Sequence, residues 1–100
     1  MTTSVRPFDL SALLDSEAAI AEYLSQVLVD GDSDELIRAL GHVAKAKGMT
    51  NIAQVTGLGR ESLYKALVPG AKPRFETIVR VMQALGMSLV AMPSAAVSVV

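Results

Sequence analysis

The stretch from Met49 to Leu67, MTNIAQVTGLGRESLYKAL, constrains this chain more than any other. Its apolar and polar positions predict two short helices joined by a tight turn. Gly57 is the pivot, because the first helix must end there with a positive φ, which glycine adopts at little steric cost. Ile52, Ala53 and Val55 supply the buried side of that helix, with Ala53 small enough to let the two helices approach closely. Leu58 is apolar where a turn is ordinarily polar, so it is expected to plug the core between them. The second helix starts near Gly59. Leu63, Ala66 and Leu67 form its inner face, and Arg60, Glu61, Ser62, Tyr64 and Lys65 point outward. Such an outward polar row suits contact with base edges in a DNA major groove.

The flanking sequence supplies a scaffold for this pair. Residues 1–14 read as an N-terminal arm: Pro7 interrupts any helix, and Phe8, Leu10, Leu13 and Leu14 are too apolar for a free tail. Asp15 or Ser16 caps a first helix with Glu17 in its first turn, and Ile20, Leu24, Val27 and Leu28 form one apolar stripe. Asp30-Gly31 is a turn dipeptide. Asp32 with Glu35 has capping-box spacing for the next helix, and Ser33 is the alternative cap. That helix places Leu36, Ile37, Leu40, Val43 and Ala44 inward and ends at Gly48. Thr50 is the expected cap of the third helix, Asn51 to Thr56. After a basic loop containing Pro69-Gly70, a fifth helix runs from Arg74 or Phe75 to Leu85, with Phe75, Ile78, Val79, Met82 and Leu85 inward and Gly86 as its stop. Met87 to Met92 reads as a short strand, pairing across a dimer, with a partner, or with nothing ordered. Residues 93–100 read as a flexible tail. The fold expected is all-α: one helical domain over residues 15–92, with five helices and a short C-terminal β-strand.

Composition narrows the function classes. The 100 residues are 51% hydrophobic and 19% charged, which describes a globular chain and not a disordered one. There is no Cys, so no disulfide or thiolate metal site can form, and this fits a reducing cytosol. MTTSVRPFDL lacks the apolar core of a signal peptide, and no run approaches the roughly 18 apolar residues of a membrane span. A cytoplasmic location is expected, with no membrane partner. The formal net charge is −1, yet it is unevenly spread. Residues 1–35 hold one base against eight acids, and residues 36–100 hold eight bases against two acids. Net charges of −7 and +6 follow from those counts, and such polarity suggests two faces with different partners, unless the charges only solvate the surface.

Alignment of the motif on Ala53, Gly57 and Leu63, supported by Ile52 and Leu58, gives the spacing of Cro and phage-repressor-like helix-turn-helix proteins. The acidic helix from Glu17 to Leu28, the segment DGDSDELIRALGHVAKAKGM, then TGLGRESLYKAL and ETIVRVMQALGMSL extend the match. Together they resemble the bacterial addiction-module antidote family, a HigA-like group of antitoxins, over about residues 8–92. The resemblance implies a Cro/repressor-like fold and a type II antitoxin. Such a protein neutralises a small basic toxin of the RelE/ParE group (HigB-type) and binds double-stranded operator DNA, usually as a homodimer, to repress its own operon. The sequence departs from the family at Gly59, where serine is common. A serine there would cap the recognition helix and offer a hydroxyl to a phosphate.

The residues divide by expected task. Arg60 suits bidentate contact with guanine O6 and N7. Glu61 either accepts from cytosine N4 or offsets Lys65 one turn later. Tyr64 reaches a base edge or phosphate, or lies flat on the core with its hydroxyl in water. Lys65 completes the DNA-facing row, most simply as a phosphate contact. Thr50, Asn51, Gln54, Ser62, Lys72 and Arg74 are the expected phosphate contacts. Glu17, Glu22, Asp30, Asp32, Asp34 and Glu35 either face a basic toxin or only aid solubility. Enzymatic chemistry is not expected. His42 is the sole histidine, so no His/Cys metal cluster can form. The serines lack a nucleophile elbow, and TGLG is too short for a phosphate loop and lacks its lysine. No catalytic residue, metal or cofactor is therefore assigned. Two rival readings use the same motif: a phage-like regulator without a toxin, and an interaction scaffold that has lost DNA binding.

Overall fold

The computed structural model describes residues 16–94. Five helices follow one another: α1 (Glu17–Asp30), α2 (Ser33–Lys47), α3 (Met49–Thr56), α4 (Arg60–Ala66) and α5 (Phe75–Ala84). The arm over residues 1–14, the alternative cap Asp15 and most of the expected tail lie outside the described residues.

Each helix begins and ends for a local reason. Ser16 caps α1, its Oγ accepting from the Ala19 N–H at 3.1 Å. Asp32, not Ser33, caps α2, its Oδ1 accepting from the Glu35 N–H at 2.9 Å. The sequence expectation fails at α3. Thr50 is not its cap, because α2 and α3 are joined by Gly48 alone, at φ 106°. The Gly48 carbonyl already accepts from the Ile52 N–H at 3.1 Å. Met49 is buried, and its burial draws the helix start two residues upstream of Asn51. At the far end of α5, Gly86 at φ 80° makes a Schellman stop: the Met87 N–H donates to the Met82 carbonyl at 2.9 Å, and the Gly86 N–H to the Gln83 carbonyl at 3.0 Å.

One core joins all five helices. Ile20 and Leu24 of α1, Leu40 and Val43 of α2, Ile52 of α3 and Leu63 of α4 meet Val81 of α5 and the adjoining Leu85, and all are essentially solvent-free. The helix pairs in closest association are α1 with α2, α2 with α3, α3 with α4, and α3 with α5. The helix α3 is therefore the hub, and it carries α4 on one side. Leu58 packs against the core as expected, although it is only partly buried.

Three apolar expectations are corrected. Leu28, Val55 and Phe75 are exposed, the last by 74%. The buried positions of α3 are Met49, Ile52, Ala53 and Thr56, a spacing of i, i+3, i+4, i+7 that turns Val55 outward. Phe75 opens α5, ahead of the turn that reaches the core at Ile78. The strand over Met87 to Met92 is also absent: these residues have no regular structure. A strand needs a neighbour, and none of the described residues offers an edge to pair with.

Candidate nucleic-acid interface

The turn between α3 and α4 is fixed from three sides. Gly57 adopts the left-handed conformation at φ 79°, and its N–H closes α3 by donating to the Ala53 carbonyl at 3.0 Å. The buried Thr56 hydroxyl is shared between the carbonyls of Ile52 (2.8 Å) and Ala53 (3.1 Å). The same oxygen accepts from the Leu58 N–H at 3.2 Å. A half-buried backbone donor in the turn is thereby satisfied, and α3 is tied to the chain that leads into α4. Thr56 was missed at the sequence level. It reads there only as the last residue of a helix, whereas its task depends on where the Leu58 N–H comes to lie.

The seven residues of α4 then sort by face as expected. Leu63 is solvent-free and Leu67 is buried, while Arg60, Glu61, Ser62, Tyr64 and Lys65 are exposed. The Arg60 guanidinium lies over the Tyr64 ring, 5.7 Å from its centroid. A cation–π contact of this kind is worth about 0.5–1 kcal/mol at an exposed site and holds the arginine near its helix. Glu61 and Lys65 do not close on one another. Among the described residues the ion pair within 4.0 Å is Glu76–Arg80 of α5, at 3.1 Å. Gly59 precedes α4 with φ −70°, and no side chain caps the helix.

The expected phosphate contacts lie on α3, on α4 and in the loop that leads to α5. Ser62 and Lys65 share a shallow hollow with Lys72 of the following loop, floored by Ala66, Ala71 and Pro73. Thr50, Asn51 and Gln54 are exposed on α3, and Arg74 is exposed at the residue before α5. The position of α4 depends on one further residue that sequence patterning did not single out. A Cβ on Gly41 of α2 would stand 3.0 Å from the Leu67 carbonyl, so α2 and the end of α4 meet backbone to backbone.

Four of the six acids, Asp30, Asp32, Asp34 and Glu35, bracket the α1–α2 turn, and Glu17 and Glu22 lie further back on α1. Glu17 opens α1, and its carboxylate lies beside Gly86. Glu22 is on the outer face of α1 with Ala18, Ala21 and Val29. Asp30 ends α1, and Asp32 is committed to capping α2. Asp34 lines a groove with Lys72 and Phe75, so at that point acidic and basic surfaces adjoin. Glu35 lies near Tyr23, and burial, aided by the Glu35 charge, holds the Tyr23 phenol above its usual pKa of 10.0, against an opposing effect of Arg38. His42 is exposed on α2. No group of three or more His, Cys, Asp or Glu side chains able to hold a metal occurs among the described residues, nor does any helix long and apolar enough to cross a membrane.

Comparison with known proteins agrees with the addiction-module antidote part of the resemblance over nearly the whole chain. No solved structure matches the sequence. An uncharacterized protein of Haemophilus influenzae is 39% identical over 87 residues, which is 87% of this chain and 90% of that protein. Residues 4–93 match the family described as probable addiction module antidote protein. A match of that extent, spanning the α3–α4 pair and every helix around it, places the chain in the family of probable addiction module antidote proteins.

Proposed function

We propose that this protein is the antitoxin of a type II toxin–antitoxin module. In this reading it neutralises a small basic RelE/ParE-like (HigB-type) toxin in the cytoplasm. It also binds operator DNA as a homodimer to repress its own operon, and it has no enzymatic activity. The observation that carries the DNA half is the sorting of α4: Leu63 sealed in the core, and Arg60, Glu61, Tyr64 and Lys65 presented outward in one row. Fixed by Gly57 and Thr56 to a helix-turn-helix, that row meets base edges, with Arg60 on guanine as the main discriminating contact. Thr50, Asn51, Gln54, Ser62, Lys72 and Arg74 flank it and suit phosphate. Two copies place two such rows about 34 Å apart on a pseudo-palindrome. The toxin half rests on the family and on the acidic residues Glu17, Glu22, Asp30, Asp32, Asp34 and Glu35, whose charge complements a basic partner.

The test separates the two halves. Arg60→Ala should weaken binding to the DNA upstream of its own gene by about 5-fold or more, read by fluorescence anisotropy, because a bidentate arginine contact contributes about 1–3 kcal/mol. Growth rescue against the neighbouring gene's toxin should survive the same substitution. Loss of both together would sink the separation of faces. A wild-type chain that binds its operator but rescues nothing would favour the regulator without a toxin.

A further inference from the structure

The helix α4 starts without a side-chain cap, since Gly59 stands before it. Leu63 and Leu67, both buried, fix its depth in the core. Apolar contact is non-directional, so burial alone does not fix the angle at which a seven-residue helix leaves α3. Gly57 permits the turn, but glycine restrains its neighbours least of all residues. Directional contacts have to come from elsewhere, and Thr56 supplies them. It is the buried polar side chain of the described residues, 8% exposed. Its hydroxyl has one proton, which goes to the Ile52 carbonyl at 2.8 Å or the Ala53 carbonyl at 3.1 Å. Its lone pairs are left for the Leu58 N–H at 3.2 Å. Both carbonyls belong to the body of α3, whereas Leu58 stands two residues before the start of α4. One oxygen atom therefore spans the junction between the two helices.

We propose that Thr56 is a positioning residue for the recognition helix: its hydroxyl sets the angle of α4 to α3, and through that angle the preference for operator over other DNA. The inference rests on the DNA-binding reading and adds to it a residue too buried to touch a base. Valine at this position would keep the volume and lose the hydroxyl. The Leu58 N–H would then lack its partner, and a buried donor left unpaired is costly. Leu58 is only partly buried, so the cheapest relief is a swing of its backbone toward water. Gly59 and Arg60 follow directly in the chain and move with it. The two kinds of DNA contact respond differently to such a movement. Phosphate contacts carry no sequence information and tolerate a change of angle, whereas bidentate contact with a guanine edge depends on alignment. A rocking α4 therefore keeps its general affinity for DNA and loses its preference among sequences.

Thr56→Val and Thr56→Ser in the full chain test it, by fluorescence anisotropy on the DNA upstream of its own gene and on a scrambled duplex of equal length. Thr56→Val should bind the scrambled duplex within about 2-fold of wild type and lose about 5-fold or more on the operator. Thr56→Ser keeps the hydroxyl and should keep the wild-type preference. Amide hydrogen exchange without DNA reads the position itself. The Leu58 amide should be protected in the wild type and in Thr56→Ser. In Thr56→Val it should exchange about 10-fold or more faster, measured relative to the Leu40 amide of the solvent-free core, which reports global stability. Equal losses on both duplexes, an unchanged preference in Thr56→Val, or the same loss in Thr56→Ser would overturn the proposal. So would an unprotected Leu58 amide in the wild type, a result that needs no variant to fold. A wild type that does not prefer its own DNA removes the repressor reading instead. The placement of α4 by Thr56 then stands if Thr56→Val frees the Leu58 amide, and falls if it does not.

Discussion

Gly59 sits at φ −70° and ψ 155°, a conformation open to any L-residue, and a Cβ added there meets nothing within 4 Å. Nothing in its surroundings requires glycine, so the missing side chain costs stability without relieving any crowding. Gly59→Ser should stabilise the fold by about 0.5–1 kcal/mol, through a helix cap and a less free unfolded chain. A thermal melt should record a rise of a few degrees. Gly57 differs, since its φ of 79° strains any L side chain although the space around it is empty. That contrast explains which residues were legible in advance. Gly57 could be read from sequence because its role is a backbone angle that one residue type satisfies. Thr56 could not, because its role is a hydrogen bond to a donor placed by the turn. Val55 and Phe75 misled because apolarity alone does not say which face of a short helix turns inward.

Among the elements, α2 and α4 are set by contact of their backbones at Gly41. Alanine in a helix interior is ordinarily favoured over glycine by about 1 kcal/mol. At this position its Cβ would press to 3.0 Å against the Leu67 carbonyl, which is backbone and cannot swing aside. Overpacking of that kind costs about 1–3 kcal/mol, so Gly41→Ala should fail to stabilise and should on balance lower the denaturation midpoint in urea. It should also weaken operator binding, because the displaced end belongs to α4. Caps and glycine stops made four of the five helices legible to within a residue or so. At α3 the burial of Met49 overrode the cap signal of Thr50. The strand expected at Met87 to Met92 was read from local composition, whereas a strand is a relation between two segments. The chain's described part supplies only one.

At the level of the molecule, charge is segregated along the chain, and the basic part includes Arg60 and Lys65 of the outward row of α4 and Lys72 beside it. If about six phosphates are neutralised by a bound dimer, operator affinity should fall about 10³-fold between 50 and 200 mM salt. Filter binding across a salt series measures the slope, and a flat response would remove DNA from the reading. The exposed row of α4 was legible because a face on a helix follows from spacing. The acidic half of the candidate site was less so, because its residues lie on α1 and α2 at several heights, and one of them, Asp32, is consumed as a cap. The shortness of α4 has a further consequence. A helix of seven residues has almost no population in water by itself, so its outward row exists only while the shared core is closed. Recognition and folding are then one equilibrium: whatever occupies the row stabilises the entire domain, and whatever opens the core erases the row at the same instant.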